Sequence, residues 1–307
     1  MTDNLKGILA ILASAVGFVT NDAIVKLITE ELPNGQIIFL RGLVATALMG
    51  LVTSILGGWR SPRVLARPAM LIRLAAAAAS TLLVVAALRH LPLATTNAVL
   101  QVSPLVVTAG AALLLGAHVG WRRWTASLIG FLGVLLIIKP GTDGFSSAAW
   151  LALGCLLASA TRDLTTRFID TTVPSILVTF AASAVVGMAG LALLPFETWI
   201  VPSPRALTLL LVASACLFVA YHFGVVAMRI GEIPVVAPFR YASILGALVL
   251  GYAIWGHVPD AVSLAGIAMI VGAGLYLLYR ERSSMRRAPP AGPRPTSAAG
   301  LETKPAA

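Results

Sequence analysis

The sequence is short of charge. Only 11% of its 307 residues are Asp, Glu, Lys or Arg, whereas 58% are hydrophobic and the mean hydropathy is +0.92. A soluble domain carries roughly 25% charged residues, so this composition indicates an integral membrane protein. Apolar runs of about 20 residues recur along the chain, which is the length of a helical span. The ten-residue alternation of an outer-membrane barrel is missing.

Signatures of catalysis and metal binding are also missing. The sequence has no HExxH, GxSxG or Walker A motif, and its histidines and cysteines are not clustered. Its two cysteines, Cys155 and Cys216, lie inside apolar runs, so we interpret them as packing residues. We therefore expect no enzyme, cofactor or metal. We assign the net charge of +10 to cytoplasmic loops, not to a nucleic-acid partner.

The apolar runs predict an all-α membrane protein with ten spans. The predicted spans are 7–28, 35–56, 70–89, 93–115, 124–140, 148–168, 174–194, 207–229, 233–254 and 261–279. Most of the lysines and arginines outside these spans fall on the same side as the N-terminus. Cytoplasmic loops collect such residues, so we predict a bacterial inner-membrane protein with both termini in the cytoplasm.

An internal repeat is predicted from matches between the two halves of the chain. The matched pairs are Thr20/Thr161, Asp22/Asp163, Lys26/Arg167, Pro33/Pro174 and Phe39/Phe180 at an offset of 141 positions, and Arg89/Arg229 and Ser103/Ser243 at 140. Each half holds five spans, and because five is odd the second half must lie inverted. Inverted repeats build transporters whose substrate sites lie at the repeat interface near mid-membrane. The predicted units are repeats 1–141 and 142–282, with a disordered cytoplasmic tail 283–307.

Charged residues inside the spans mark the first part of a candidate site, because a charge in hydrocarbon is costly and usually functional. Asp22 and Lys26 lie four residues apart on one helix face, and Arg41 enters the second span at a similar depth. We predict that these three form an outer-half cluster. In the inner half, Asp163 and Arg240 are predicted to pair. The alternative is that Asp22–Lys26 and Asp163–Arg240 are fixed structural pairs.

Uncharged polar residues complete the candidate site. Asn97 and Gln101 share a face of the fourth span, just before a proline that opens the backbone. Such groups suit recognition of a polar organic molecule, and contact between helices is the alternative. His222 is a candidate proton carrier or an interhelical hydrogen-bonding group. The candidate substrate-binding or coupling residues are Asp22, Lys26, Arg41, Asn97, Gln101, Asp163, Tyr221, His222, Arg240 and Tyr241.

Several stretches resemble one transporter family. They are Val19–Lys26, Phe39-Leu40-Arg41, Leu91-Pro92-Leu93-Ala94, Trp121-Arg122-Arg123-Trp124, Gly130-Phe131-Leu132-Gly133, Lys139-Pro140-Gly141 and Ala237-Pro238-Phe239-Arg240-Tyr241. Over about residues 5–280 the chain resembles the EamA type of the drug/metabolite transporter superfamily. Within it, the chain is similar to the bacterial branch that contains riboflavin and S-adenosylmethionine carriers.

The resemblance implies a secondary transporter that moves a polar organic metabolite by alternating access. Riboflavin uptake is the first expectation, and carriage of S-adenosylmethionine or S-adenosylhomocysteine is the next. Export of amino acids or drugs is a third, and a membrane-embedded enzyme is a remote alternative. The expected partners are a small-molecule substrate and membrane lipids, with the choice between monomer and homodimer open.

Overall fold

The computed structural model describes residues 3–60, 62–115, 120–139, 146–166, 168–170, 172–230 and 236–287. Within these ranges the regular structure is helical and contains no β-strand, which confirms the all-α prediction. The helices are α1 (Asp3–Ile28), α2 (Asn34–Ile55), α3 (Pro68–His90), α4 (Leu93–Leu100), α5 (Ser103–Leu115), α6 (Trp121–Ile138), α7 (Ala149–Thr166), α8 (Ser175–Leu193), α9 (Pro204–Ile230), α10 (Ala242–Trp255) and α11 (Ala261–Arg287). Short 3₁₀ segments lie at Pro62–Val64, Leu194–Phe196 and Ala237–Tyr241.

Six helical stretches are long and apolar enough to cross a membrane. They are Asp3–Ile28, Asn34–Ile55, Pro68–His90, Leu93–Gly110, Ser175–Phe196 and Pro204–Gly224. Three shorter apolar helices lie at Trp124–Ile138, Phe239–Trp255 and Ala261–Leu277. The count of ten spans stays a prediction. Of the predicted tail, residues 288–307 lie outside the described residues, and before them α11 continues to Arg287.

Two predicted spans contain backbone that is not α-helical. The fourth span divides into α4 and α5 at Gln101 and Val102. The cause is local: Pro104 has no N–H to donate to the carbonyl of Leu100, so the ladder cannot continue. In the ninth predicted span, the 3₁₀ segment Ala237–Tyr241 precedes α10 and contains another proline. At both places, backbone that is not α-helical lies next to polar side chains.

The long helices pack as pairs that join the first half of the chain to the second. The packed pairs are α1 with α9, α2 with α8, α3 with α7, and α6 with α11. α4 packs against α10. Apolar side chains of α1, α2, α3 and α9 form one core around Ile28 and Ile37. A second core lies around Val134 and Ile270 and involves α4, α6, α7 and α11.

The contact between α2 and α8 depends on glycine. Gly42 and Gly187 lie backbone to backbone, and a Cβ added at residue 42 would overlap the main chain of Gly187. Small residues allow such close approach of helices in membranes. In the α6–α11 pair, a Cβ added at Gly133 would lie 2.7 Å from the carbonyl oxygen of Gly266.

We expect Gly42→Ala to destabilise the protein, because the added methyl group meets backbone that cannot move aside. Overpacking of this kind costs about 1–3 kcal/mol, which thermal unfolding of the detergent-purified protein would register as a lower Tm. Gly251→Ala is the matched control, since a Cβ there has no atom within 4 Å. Its Tm should stay unchanged or rise slightly. Equal Tm values for the two variants would contradict the proposed backbone contact.

Candidate functional site

Polar side chains connect α2, α1 and α4. Arg41 on α2 donates from Nη2 to Oδ1 of Asn21 at 2.8 Å, and Asn21 donates from Nδ2 to Oδ1 of Asp22 at 3.0 Å. Asn97 on α4 donates to the other carboxylate oxygen of Asp22 at 3.3 Å. We call Arg41, Asn21, Asp22, Asn97 and Gln101 the polar column. Asp22 thus reaches the guanidinium of Arg41 through an asparagine.

Gln101 continues this column to the interrupted backbone. It lies one turn after Asn97, at the break between α4 and α5. Its Nε2 donates to the backbone carbonyl of Arg240 at 3.0 Å and to Oγ of Ser243 at 2.9 Å. The side chain therefore holds the break in the first half of the chain against the 3₁₀ segment and the start of α10 in the second.

Tyr241 and Arg240 leave the 3₁₀ segment in different environments. Tyr241 is half-buried, and a Cβ added at Gly274 on α11 would overlap its ring and hydroxyl. Glycine at position 274 thus makes the space that Tyr241 occupies. Arg240 is exposed, and its side chain makes no ion pair with an acid in the described ranges. The site consequently has one fixed aromatic residue beside one accessible cation.

Lys26 is not part of the column, and the predicted Asp22–Lys26 pair is wrong. Its Nζ donates to the carbonyls of Leu88 at 2.6 Å and Leu91 at 2.8 Å, at the C-terminal end of α3. It also lies 5.5 Å from the ring centroid of Trp255. Carbonyls at a helix C-terminus lack intrahelical donors and favour a cation. Lys26 therefore fastens α1 to α3.

We expect Lys26→Met to lower the stability of the protein and to leave the transport rate of each folded molecule unchanged. The substitution leaves two buried carbonyls without their donor, a loss of about 1–3 kcal/mol. Thermal unfolding and a transport rate normalised to folded protein would check this. Lys6→Met is the control, because Lys6 pairs with Asp3 at the surface and such pairs contribute little. A stable variant that has lost transport would contradict the structural role.

The predicted Asp163–Arg240 pair is also wrong. Asp163 instead pairs with its neighbour Arg162, with 3.0 Å between Nη2 and Oδ1. The side chain of Arg162 is 31% exposed and that of Asp163 is 45% exposed. Neither charge is deeply buried, so Asp163 does not need a second ion-pair partner from a distant helix. Among the described residues, Arg240 contacts the polar column through its backbone carbonyl, which accepts a hydrogen bond from Gln101.

The two candidates on α9 stay apart from the column in what the structure shows. His222 is exposed and contacts Phe223 edge to face, with 5.6 Å between ring centroids. The side chain of Tyr221 lies outside the described residues. Neither observation tests the predicted roles of these residues, which remain predictions.

Sequence reasoning missed a second group of polar contacts, around the connection between α1 and α2. The contacts are Trp255 Nε1 to Glu30 at 2.9 Å, Ser203 Oγ to Glu31 at 3.0 Å, Arg205 to Glu31 at 3.2 Å, Gly35 N to Glu197 at 2.9 and 3.1 Å, and Gln36 with the backbone of Ile200 at 2.6 and 3.1 Å. We call this set the latch. Its only sequence signal is the polarity of residues 29–36, because the partners lie more than 160 positions away.

Polar contacts also join the start of α3 to the end of α7 and to the α7–α8 connection. Arg67 lies 3.5 Å from Asp170, and Arg73 donates to Thr166 at 2.9 Å. Hydrogen bonds from the backbone N–H and hydroxyl of Thr172 hold the pKa of Asp170 below its usual value, and Arg67 adds to this effect. The Asp170 carboxylate is therefore ionised at neutral pH and available to Arg67.

The first half of the chain is similar to a known protein family. Residues 5–139, which run from the first turn of α1 to just past the end of α6, match the EamA-like transporter family. All of the polar column lies inside this EamA-like segment. With the apolar helices described above, the match identifies a multi-pass membrane protein.

Curated relatives of the EamA-like segment carry transporter names. The S-adenosylmethionine uptake transporter of Rickettsia prowazekii is 26% identical over 194 residues, covering 63% of this chain and 66% of its own length. The riboflavin transporter of Rhizobium johnstonii is 30% identical over 205 residues, covering 66% of each protein. The chain thus aligns with just under two thirds of the length of these two relatives.

Two further similarities extend beyond the EamA-like segment. The pseudopaline exporter of Pseudomonas aeruginosa is 28% identical over 272 residues, covering 88% of this chain and 94% of its own length. A crystal structure of a 19% identical protein superposes with a TM-score of 0.60 and covers 91% of this chain and 98% of its own. At that identity the superposition shows the fold alone.

Proposed function

We propose that the chain is a secondary transporter of a bacterial inner membrane, with both termini cytoplasmic, that moves a polar organic metabolite by alternating access. The observation that carries this proposal is the polar column, which runs through α2, α1 and α4 to the interrupted backbone before α10. Polar side chains inside membrane helices usually mark a substrate or ion pathway. The transporter names of the relatives support the same function.

An inverted repeat of two five-span halves is part of the proposal, and a pair of hydrogen bonds supports it. Ser14 on α1 donates to the carbonyl of Ala220 on α9 at 2.7 Å. Cys155 on α7 donates to the carbonyl of Ser80 on α3 at 3.2 Å. The offset of 141 relates the donor Ser14 to the donor Cys155, and the offset of 140 relates the acceptor residue Ala220 to Ser80. They also exchange the α1–α9 pair with the α7–α3 pair.

Two cargoes are proposed, each on a specific observation. Riboflavin is neutral and rich in hydrogen-bonding groups, which suits the amides of Asn97 and Gln101, and a riboflavin transporter is 30% identical to this chain. S-adenosylmethionine is a cation, which suits the carboxylate of Asp22, and its uptake transporter in Rickettsia is a relative. Export is a second proposed direction, because the relative aligned over 88% of this chain is an exporter.

The test is uptake by vesicles that contain the purified full-length chain. Labelled riboflavin and labelled S-adenosylmethionine are offered separately, and we expect saturable accumulation of one of them in chemically unchanged form. Vesicles loaded with label and diluted into buffer test the export direction in the same preparation. Chemical conversion of the cargo, or no movement of either compound in either direction, would contradict the proposal.

A further inference from the structure

We infer that the polar column binds a positively charged group of the cargo, with the Asp22 carboxylate as its ion-pair partner and the amide oxygens of Asn97 and Gln101 as further acceptors. This inference rests on the proposed transport function and names the class of cargo: an organic cation or zwitterion. It follows from which atoms of the column remain free to bond.

The amide N–H groups of the column are already used. Nδ2 of Asn97 faces the Asp22 carboxylate at 3.3 Å and the carbonyl of Leu93 at 3.4 Å. Nε2 of Gln101 faces the carbonyl of Arg240 and the hydroxyl of Ser243. Carboxylates and carbonyls only accept hydrogen bonds, so the nitrogen of each amide must be the atom that faces them. What each amide has left is its oxygen, an acceptor.

The Asp22 carboxylate also has acceptor positions left. An ionised carboxylate offers about four lone-pair sites, and in the described part of the chain Asp22 accepts from two amides, those of Asn21 and Asn97. Neither amide carries a charge. Arg41 donates to Asn21 and acts on the Asp22 carboxylate electrostatically, and Lys26 is held by carbonyls of α3. The negative charge of Asp22 therefore lacks a directly bonded cation among the described residues.

Further groups and the exposure of the column favour a bound molecule here. Asp22 and Gln101 are both partly exposed. The hydroxyl of Ser103, two residues after Gln101, is buried and has no hydrogen-bond partner in the part of the chain that the structure describes. α7 packs against both α4 and α5, so this helix borders the same region.

The column has more free hydrogen-bond acceptors than donors, and this excess favours a positively charged ligand. A cation or an N–H donor fills the open positions, and the attraction is strong because the surroundings have a low dielectric constant. An anionic face, or a neutral face without N–H or O–H donors, would cover a carboxylate and two amide oxygens without bonding them, and unpaired buried polar groups are costly. S-adenosylmethionine brings a positive charge that can pair with the Asp22 carboxylate, whereas riboflavin can offer only neutral N–H and O–H donors.

The test measures binding to the purified full-length protein with two probes, S-adenosylmethionine as the cation and riboflavin as the neutral compound. We expect the wild type to bind the cation at least about tenfold more tightly, the equivalent of one favourable charge pair. Asp22→Asn should remove that preference by weakening only the cation. Asp22→Glu, which keeps the charge, should retain most of it. Asp170→Asn is the control for loss of an exposed carboxylate, and both affinities should stay unchanged.

Several outcomes would overturn the inference. One is equal affinity of the wild type for both probes, or no binding of S-adenosylmethionine. Another is an Asp22→Asn variant that loses both probes equally or neither. Thermal unfolding of each variant separates a folding defect from a binding defect, and Asp22→Glu keeps the test valid if Asp22→Asn is unstable. Uptake by vesicles is scored separately, so intact charge selectivity without transport would contradict the proposed function and not this inference.

Discussion

Crosslinking Glu31→Cys to Ser203→Cys with a short, cleavable thiol reagent will stop transport, and cleaving the reagent will restore it. The two native side chains are 3.0 Å apart between carboxylate and hydroxyl, so a short reagent spans the replaced pair. Glu31 belongs to the first half of the chain and Ser203 to the second. In alternating access, the two halves must separate at each end in turn, so a covalent link at the latch holds one end closed.

The latch joins the two halves of the chain through hydrogen bonds to backbone groups. Gly35 lies in the first turn of α2, where backbone N–H groups have no intrahelical partner, and the carboxylate of Glu197 accepts from it. A negative charge at a helix N-terminus is also favoured by the helix dipole. Gln36 bonds both the carbonyl and the N–H of Ile200. These are exchangeable hydrogen bonds, which water can replace when the end opens.

The crosslinking experiment needs a background without reactive cysteine and a matched control. Cys155→Ser keeps a donor for the Ser80 carbonyl, as Ser14 does for Ala220, and Cys216→Ala removes the second thiol. The control pair is Ser54→Cys with Trp59→Cys, whose native side chains meet at 3.1 Å within the first half. We expect at least about a tenfold loss of transport for the latch pair and none for the control. Full transport by the crosslinked latch pair would show that this end does not open.

The sequence predicted an all-helical fold because its apolar runs are long. Its errors in the site have physical causes. Lys26 has the charge and spacing to pair with Asp22, but its partners are backbone carbonyls of α3, which carry no sequence signal. A similar predicted depth in the membrane was not enough to pair Asp163 with Arg240, because Arg162, the residue before Asp163, forms the ion pair instead.

The column itself was partly readable. Asn97 and Gln101 were recognised by their spacing of four residues and by the following proline. Asn21 was missed, although it lies beside Asp22, because an asparagine near a helix end has many structural roles. The hydrogen bond from Gln101 to the Arg240 carbonyl links residues 139 positions apart. Only a three-dimensional structure shows that the break between α4 and α5 meets the 3₁₀ segment before α10.

Arg240→Ala is expected to abolish transport of a carboxylate-bearing cargo such as S-adenosylmethionine while leaving the amount of protein in the membrane unchanged. The guanidinium is exposed and has no acidic partner in the described ranges, so its removal breaks no ion pair there. The bond from Gln101 goes to the backbone carbonyl, which alanine retains. An arginine near the opening of a polar column is suited to bind a carboxylate through two parallel hydrogen bonds.

Three measurements decide the role of Arg240: membrane abundance, Tm and initial uptake rate. We expect the first two to match the wild type and the rate to fall at least about tenfold, because a charge-assisted hydrogen bond to a carboxylate contributes about 1.5–3 kcal/mol. Arg60→Ala is the matched control, since Arg60 is exposed and its hydrogen bonds within the described residues go to the nearby carbonyls of Gly57 and Trp59. Arg240→Lys should recover part of the rate, because the charge remains and the paired geometry is lost. Normal uptake by Arg240→Ala would exclude this arginine from the path of the cargo and leave Asp22 as the charged group that selects it.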